Sequence, residues 1–196
     1  MSWLNYILNT HKSSEGFWGC NGNDPEIFRH IVEGVYETYE INHILEIGFN
    51  IGCSASMWLE WHPQQTVKLT AVDICKHGAT VPASKTVKER YGDRFNFIAS
   101  DSKEAKPLLE DTMFDMAFID GCHGYESVIS DTRMAIELGA TVLVYDDWHE
   151  SDNEHKGTNG VKHATMTLEK EELIKLEKIY YIEGVPSQVA VFKTIK

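Results

Sequence analysis

The stretch from Leu45 to Gly52, with the sequence LEIGFNIG, is a short apolar run that ends at the first of two glycines. Such a run predicts a buried β-strand, and the glycines predict a tight turn that leads into a helix. Gly48 permits a sharp turn, and Gly52 permits the backbone to approach a ligand or a strand closely. Backbone amides at the start of the next helix, near Ser54, are open to a polar ligand. The pattern alone also suits a structural turn without a ligand.

Four further apolar runs follow, and helical patterns separate them. Several runs are apolar on successive residues, which is typical of strands that helices cover on both faces. The alternation predicts an α/β fold with a Rossmann-like, doubly wound and mostly parallel sheet. The predicted strands are His43–Gly48, Lys68–Ile74, Phe95–Ala99, Phe114–Asp120 and Thr141–Asp146, and the predicted helices between them are Ser54–Glu60, Ser84–Tyr91, Ser102–Leu109 and Tyr125–Leu138.

The two ends of the chain have different patterns from the middle. Residues 1–42 are predicted to form a helical cap segment of the same domain, and residues 43–196 the ligand-binding domain. Val161–Lys178 predicts a long amphipathic helix. Ile179–Ile182 and Val189–Thr194 predict a closing hairpin, which would add an antiparallel strand at the edge of the sheet.

The composition limits the function classes. A length of 196 residues predicts one domain. The net charge of −12 argues against nucleic acid or an anionic membrane as the main partner. Four widely spaced cysteines, without a C-x-x-C pair, indicate a reduced, cytoplasmic setting. No apolar run approaches the roughly 18 residues of a membrane span.

Acidic residues end several predicted strands. Asp73 ends the second strand, where a carboxylate can accept both hydroxyl hydrogens of a ribose. Asp101 and Ser102 close the third strand in the same way, and Glu46 and Gly48 end the first. These positions would line the rim where open α/β sheets bind ligands. The structural alternatives are a surface carboxylate at Asp73 and a helix N-cap at Asp101.

The glycine turn differs from the G-x-G-x-x-G of nicotinamide enzymes, because Asn50 stands where the middle glycine belongs. A nucleoside without a diphosphate fits such a turn better, and S-adenosylmethionine is the common one. Over roughly residues 44–195, the chain resembles the class I S-adenosylmethionine-dependent methyltransferases, through LEIGFNIG, AVDI, ASDS and the block described next. The resemblance implies that S-adenosylmethionine is held by Glu46, Gly48, Asn50, Gly52, Ser54, Asp73, Ile74, Asp101 and Ser102.

The block FDMAFIDGCHGY, residues 114–125, resembles the Asp-Gly-x-His-x-Tyr signature of metal-dependent O-methyltransferases related to the sugar and macrolide enzymes. Asp131 and the VYDDW stretch, residues 144–148, continue the likeness. The resemblance implies that Mg²⁺ is held by Asp120, Asp146 and Asp147, and that His123 is the general base. It also implies a small-molecule hydroxyl acceptor, for which a sugar-like diol is favoured.

The chemistry of this block can also be argued from the residues. If the strands that Asp120 and Asp146 end are neighbours, the two ends lie about 5 Å apart. Carboxylates at that distance repel one another unless a cation joins them, and their hard oxygens suit magnesium. Asp146 and Asp147 face opposite ways in a regular strand, so both can bind one ion only if the backbone turns there. A neutral imidazole at His123 could remove a proton from a substrate hydroxyl.

Three other functions remain open from the sequence. They are a Rossmann oxidoreductase, a methyltransferase without a metal, and a non-catalytic subunit that binds S-adenosylmethionine. Catechol-type relatives usually carry Lys at the position of His123 and end the fifth strand with Asp-Asn, so a catechol acceptor is disfavoured. The identity of the acceptor, a homo-oligomeric state and closure of the segment 149–160 over the site are left open.

Overall fold

The computed structural model describes residues 2–11, 28–149, 159–181 and 188–195, and it confirms the predicted α/β fold. Seven strands form one sheet in the order β3-β2-β1-β4-β5-β7-β6. The strands are β1 (His43–Ile47), β2 (Lys68–Asp73), β3 (Phe95–Ala99), β4 (Met116–Ile119), β5 (Val142–Trp148), β6 (Ile174–Tyr180) and β7 (Gln188–Thr194). The α-helices are α1 (Trp3–Thr10), α2 (Arg29–Thr38), α3 (Cys53–Glu60), α4 (Thr80–Tyr91), α5 (Ser102–Leu109), α6 (Tyr125–Glu137) and α7 (Asn159–Lys170).

The strand order reverses in the middle of the sheet. From β1 the chain first adds β2 and β3 on one side, and it then returns to add β4 and β5 on the other. All four neighbouring pairs among these five strands are parallel. Ligands of open α/β sheets bind outside the carboxyl ends of the strands at such a switch point. In this chain, the loops that follow β1 and β4 flank that point.

Apolar side chains cover both faces of the sheet. Ile44 of β1 packs with Trp58 of α3 in the cluster on one face. Leu45, the next residue, packs with Tyr145 and Phe192 in the cluster on the other face. The central strands are therefore apolar on successive residues, as their sequences indicate.

The C-terminal prediction is wrong in one respect. The helix predicted over Val161–Lys178 ends at Lys170, and the edge strand β6 begins at Ile174. A turn separates the helix from the strand, and Glu172 in this turn has a φ of +57°, which lies in the left-handed region. The antiparallel pairing of β5 with β7 and of β7 with β6 confirms the predicted antiparallel strands at the edge. Residues 182–187, between those two strands, lie outside the described residues.

The N-terminal segment is helical in its described parts. Leu4 and Ile7 of α1 are buried in the cluster that contains α3, and the indole N–H of Trp3 donates to Ser56 Oγ at 3.2 Å. The helical character of α1 and α2 agrees with the prediction, and the division into two segments at residue 42 stays a prediction. Among the described helices, none is both long and apolar enough to cross a membrane.

Candidate active site at the carboxyl edge of the sheet

The strand-end acids meet at one edge of the sheet. Parallel pairing brings the ends of β3, β2, β1, β4 and β5 side by side. Asp101, Asp73, Gly48 and Asp120 lie at or just after these ends, whereas Asp146, which the sequence predicts at the end of its strand, lies two residues before the end of β5 at Trp148. The structure thus has the rim that the sequence predicts, with the glycine turn near its centre.

Asp73 holds the loop that follows β1. Its Oδ2 accepts the backbone N–H groups of Phe49 at 2.8 Å and Asn50 at 2.9 Å. Its Oδ1 accepts the N–H of Cys75 at 2.6 Å. Asn50 and Cys75 both have positive φ angles, +50° and +60°, which few non-glycine residues adopt. The sequence predicts Asp73 as a ribose ligand, and the structure adds that its carboxylate anchors two loops of the rim.

The two glycines of the turn lie where no side chain fits. Gly48 has a φ of +94°, and a Cβ there would lie 2.0 Å from the carbonyl oxygen of Asp120. Gly52, with a φ of +79°, begins α3, and a Cβ there would lie 2.4 Å from the ring of Phe49. The loop is therefore packed directly against the turn after β4. Its shape and the position of Asp120 depend on each other.

Glu46 is a fully buried carboxyl beneath this loop. Ser54 Oγ donates to its Oε1 at 2.5 Å, and its Oε2 has no hydrogen-bond partner. Burial raises the pKa of Glu46 well above its ordinary value, and the charges of Asp120 and Asp73 raise it further, while the Ser54 hydrogen bond lowers it. An unpartnered buried oxygen is unusual in a folded protein and marks a place for a donor.

The end of β3 is built around a helix cap. Asp101 caps α5 by accepting the N–H of Lys103 at 3.0 Å, which is the structural role that the sequence leaves open. Ser102, the first residue of α5, lies near the buried carboxylate of Asp131 on α6 and opposes the rise that burial causes in the pKa of Asp131. Beside Asp73, the side chain of Ile74 is 51% exposed and presents an apolar surface at the rim.

His123 lies between two carboxylates. Its Nδ1 is 3.1 Å from Asp147 Oδ2, and its Nε2 is 3.5 Å from Asp120 Oδ1. Asp147 reaches the ring because β5 is irregular there: the register with β7 shifts between Tyr145 and Trp148, and Asp147 has a φ of +51°. This is the backbone turn that the sequence requires if both aspartates are to face one site. Asp146, next to it, is buried.

The charge of His123 differs from the sequence expectation. Burial lowers the pKa of His123, but the nearby carboxylate of Asp120 and the charges of Asp147 and Asp146 outweigh burial and raise the pKa to about 9. The imidazole is therefore mostly protonated at neutral pH, whereas a neutral ring was expected. The reason is that the predicted metal ligands themselves surround the ring with negative charge.

The donor set has the oxygen chemistry of a magnesium site but not its arrangement. Within the described residues, no three His, Cys, Asp or Glu side chains are grouped so that they could hold a metal ion. The imidazole ring of His123 itself lies between Asp120 and Asp147. The described geometry therefore does not support the predicted Mg²⁺.

Two residues near the site had no predicted role. Gly160, at the start of α7, packs on the backbone of the His123 turn, since a Cβ there would lie 2.1 Å from the carbonyl oxygen of His123. Asp131 is 2% exposed on α6 and lies on the helix face that also carries the buried Val128 and Ala135. The sequence likeness includes Asp131 without a role, and the helical spacing of this carboxylate with buried apolar residues is the signal that indicates its burial.

A family model described as Methyltransferase domain matches residues 45–148 of the chain. The match covers more than half of the chain, from the start of the glycine stretch to the end of β5. Among curated proteins, none matches the chain significantly in sequence.

Solved structures share the fold at low sequence identity. An O-methyltransferase from Bacillus cereus in complex with SAH gives a TM-score of 0.70 at 14% identity, and the match covers 97% of this chain and 90% of that one. An SAH-bound methyltransferase from Podospora anserina gives a TM-score of 0.68 at 14% identity, and the match covers 98% of this chain and 86% of that one. These likenesses agree with the Rossmann-like sheet and its antiparallel edge.

Asp131 gives the fold a defined pH dependence. Burial raises the pKa of Asp131 to about 6, so the folded chain binds this proton more tightly than the unfolded chain, and the ionised carboxylate costs stability as pH rises from about 4 to 6. Asp131→Asn removes that charge. The measurement is the free energy of unfolding in urea. We expect the difference between the variant and the wild type to be about 2 kcal/mol more in favour of the variant at pH 7.5 than at pH 4.5.

The matched control is Glu137→Gln, which removes an exposed carboxylate at the same α5–α6 contact, where Glu137 pairs with Lys106 at 2.5 Å. Its stability difference from the wild type should change little over this pH range. Parallel pH curves for Asp131→Asn and the wild type would contradict the burial argument.

Proposed function

We propose, because the chain belongs to the methyltransferase domain family, that it transfers the methyl group of S-adenosylmethionine to a hydroxyl oxygen of a small molecule. Family membership confirms the prediction of a methyltransferase and gives no support to the oxidoreductase alternative. The fold relatives that bind SAH support the choice of cofactor. The observation that carries the proposal is the Asp73-anchored glycine loop, packed against the turn that holds His123.

The cofactor would lie along the rim from α5 to the glycine loop. Gly48 and Gly52 keep the loop free of side chains. Asp73 accepts three N–H groups and, since a carboxylate has about four acceptor positions, one is left for a ribose hydroxyl. The unpartnered Oε2 of Glu46 is a place for a donor from the cofactor, directly or through one water. The negative charge of this edge favours a cationic ligand.

His123 would act as the base in the transfer. S-Adenosylmethionine, when bound, supplies a methyl group on a positively charged sulfur. His123 accepts the hydroxyl proton while the oxygen bonds to the methyl carbon and the carbon–sulfur bond breaks, leaving its electron pair on sulfur. Asp147 lies against Nδ1 of the ring, Nε2 has no hydrogen-bond partner and is free to take the proton, and the charges of Asp120 and Asp147 stabilise the charge that the ring gains. Orienting the hydroxyl in line with the methyl can supply several kcal/mol of the barrier reduction.

The base must be neutral before it can accept the proton. His123 is mostly charged in the unliganded cleft, because the carboxylates around it raise its pKa. A positive charge bound nearby disfavours the charged imidazole and lowers that pKa again. Binding the cationic cofactor would therefore prepare His123 for its role.

The favoured acceptor is a sugar-like diol. Two adjacent hydroxyls could hydrogen-bond to the carboxylates of Asp120 and Asp147 while one of them meets His123, and this polar group of side chains supports that choice. The absence of nucleic-acid and membrane partners and a cytoplasmic location stay predictions of the sequence, and the oligomeric state stays open. A non-catalytic subunit that binds the cofactor is the second candidate, and the next experiment separates the two.

His123→Asn tests the base. We expect methyl transfer from tritiated S-adenosylmethionine, assayed against a panel of vicinal-diol sugars, to fall about 100- to 10,000-fold in kcat. Binding of S-adenosylhomocysteine should stay within about twofold, because the ring is not assigned to the cofactor. The control is His163→Asn on the exposed face of α7. Full turnover by the His123 variant would refute the base, and cofactor binding without any wild-type turnover would favour the non-catalytic subunit.

Chelation separates the two interpretations of the acidic site. The sequence resemblance predicts that EDTA abolishes turnover and that Mg²⁺ restores it. The described geometry, with His123 already between Asp120 and Asp147, predicts turnover that EDTA leaves unchanged. A loss that Mg²⁺ reverses would mean that His123 leaves this position when the ion enters. Initial rates measured with and without EDTA, and again after Mg²⁺ is added back, decide the question.

A further inference from the structure

Two buried aromatic residues flank the acidic pair of β5. Tyr145 precedes Asp146 and Asp147, and Trp148 follows them. The side chain of Tyr145 is fully buried, and Trp148 is 7% exposed. Each of the two carries one polar hydrogen into the core, where it needs an acceptor. The acceptors of these hydrogens therefore help to fix the irregular part of the strand between them.

Both acceptors are buried threonine hydroxyls. The hydroxyl of Tyr145 is 2.8 Å from Thr132 Oγ1 on α6. The indole N–H of Trp148 donates to Thr165 Oγ1 on α7 at 3.2 Å. Each threonine donates its own proton to a carbonyl of its own helix, at 2.7 Å in α6 and at 2.9 Å in α7. Each threonine therefore offers only lone pairs to its partner, and the aromatic residue must be the donor.

The backbone holds the two aromatic residues unequally. Tyr145 lies in the regular ladder, opposite Ile119 of β4 and Ala190 of β7. Beyond the register shift, Trp148 lies opposite Gln188 of β7, whereas β4 has already ended at Ile119. Within the described part of the chain, the strand at Trp148 is thus paired on one side. Its side-chain anchor to α7 therefore matters more than the anchor of Tyr145 to α6.

Helix α7 contacts both parts of the site. Its Gly160 packs on the backbone of the His123 turn, where no Cβ fits. Further along the same helix, Thr165 accepts the indole N–H of Trp148, and Lys162 Nζ lies 5.9 Å from the centre of the indole ring. One helix therefore connects the turn that carries the proposed base with the strand that carries the acidic pair.

We infer that Trp148 is a positioning residue, whose hydrogen bond to Thr165 holds Asp147 in the left-handed backbone that turns its carboxylate toward the proposed base. The φ of Asp147 is +51°, a conformation that persists where the surroundings hold it. With this φ, Asp147 Oδ2 lies 3.1 Å from His123 Nδ1 and leaves Nε2 for the proton. The inference rests on the proposed function, because the direction of this carboxylate matters for the reaction only if His123 is the base.

A double-mutant cycle in urea unfolding tests the anchor without cofactor or acceptor. Thr165→Val removes the hydroxyl that accepts the indole N–H, and Asp147→Ala removes the carboxylate. If the anchor holds Asp147, the two changes are not additive. We expect the change that Asp147→Ala causes in the unfolding equilibrium constant to be at least about threefold smaller in the Thr165→Val background, within the range for residues of one network.

Thr132→Val is the matched control for this cycle. It removes the same kind of hydrogen bond at the same depth, but it acts on Tyr145, which lies before the register shift. Its effect and that of Asp147→Ala should add within about twofold. Trp148→Phe removes the donor instead of the acceptor and should give the same coupling as Thr165→Val, so the test stands if one of these variants does not fold.

Turnover tests the role of the anchor in the reaction. With tritiated S-adenosylmethionine and the vicinal-diol sugars, we expect Thr165→Val to lower kcat about 10- to 100-fold, as a misplacement of about 1 Å can. Binding of S-adenosylhomocysteine should stay within about twofold, because the anchor does not contact the glycine loop. Thr165→Ser keeps the hydroxyl and should restore kcat, and Thr132→Val should leave kcat unchanged.

The outcomes separate the inference from the function on which it rests. Coupling in the unfolding cycle, together with a kcat that Thr165→Val lowers and Thr165→Ser restores, supports the inference. If the wild type transfers the methyl group but the stability changes are additive, or if Thr165→Val keeps full turnover, the function stands and the role of Trp148 is refuted. If the cycle shows coupling but the wild type transfers no methyl group, the proposed function fails and the inference fails with it.

Discussion

The carboxylate of Asp73 makes the hydrogen bonds on which the rest of the cleft depends. It joins the end of β2 to the loop after β1 through the N–H groups of Phe49 and Asn50, and it also accepts the N–H of Cys75. Hydrogen bonds to a charged group are among the stronger ones, at about 1.5–3 kcal/mol each. They offset the strain of the two positive φ angles at Asn50 and Cys75. Without this anchor, the glycine turn would lose the partner that holds it open at the sheet edge.

The same loop determines where the acidic site lies. Gly48 approaches the carbonyl of Asp120 so closely that no Cβ fits between them, and Asp120 is three residues before His123. On the other side, Gly160 leaves no room between α7 and the His123 turn. The turn is thus held between two glycine contacts, and the positive φ of Asp147 brings a second carboxylate to the ring. Backbone packing therefore sets the geometry that the proposed base requires.

The sequence predicts the central sheet well because its signal is strong. Buried strands such as the predicted His43–Gly48 are short apolar runs next to turn residues, and the structure places β1 at His43–Ile47. The C-terminal part is harder to predict, because the apolar spacing in Val161–Lys178 suits a helix as well as an edge strand. The turn at Glu172, where the helix has ended and the strand has not yet begun, is visible only in the backbone geometry. At the site, the sequence indicates which acids end strands but not what they bind. Its position makes Asp73 a candidate ligand for a ribose, whereas its hydrogen bonds to the loop after β1 are visible only in the backbone geometry. The protonated state of His123 likewise depends on how close the carboxylates come.

The most direct test of the Asp73 anchor is a calorimetric titration of S-adenosylhomocysteine into the wild type, Asp73→Asn and Asp115→Asn. Asp115 is the matched control, because its Oδ2 accepts two backbone N–H groups, from Asn42 at 2.8 Å and His43 at 2.9 Å, at the opposite edge of the sheet. We expect the wild type to bind, Asp73→Asn to bind about 5- to 150-fold more weakly, and Asp115→Asn to stay within about twofold of the wild type. No binding by the wild type, or unchanged affinity in Asp73→Asn, would contradict the account.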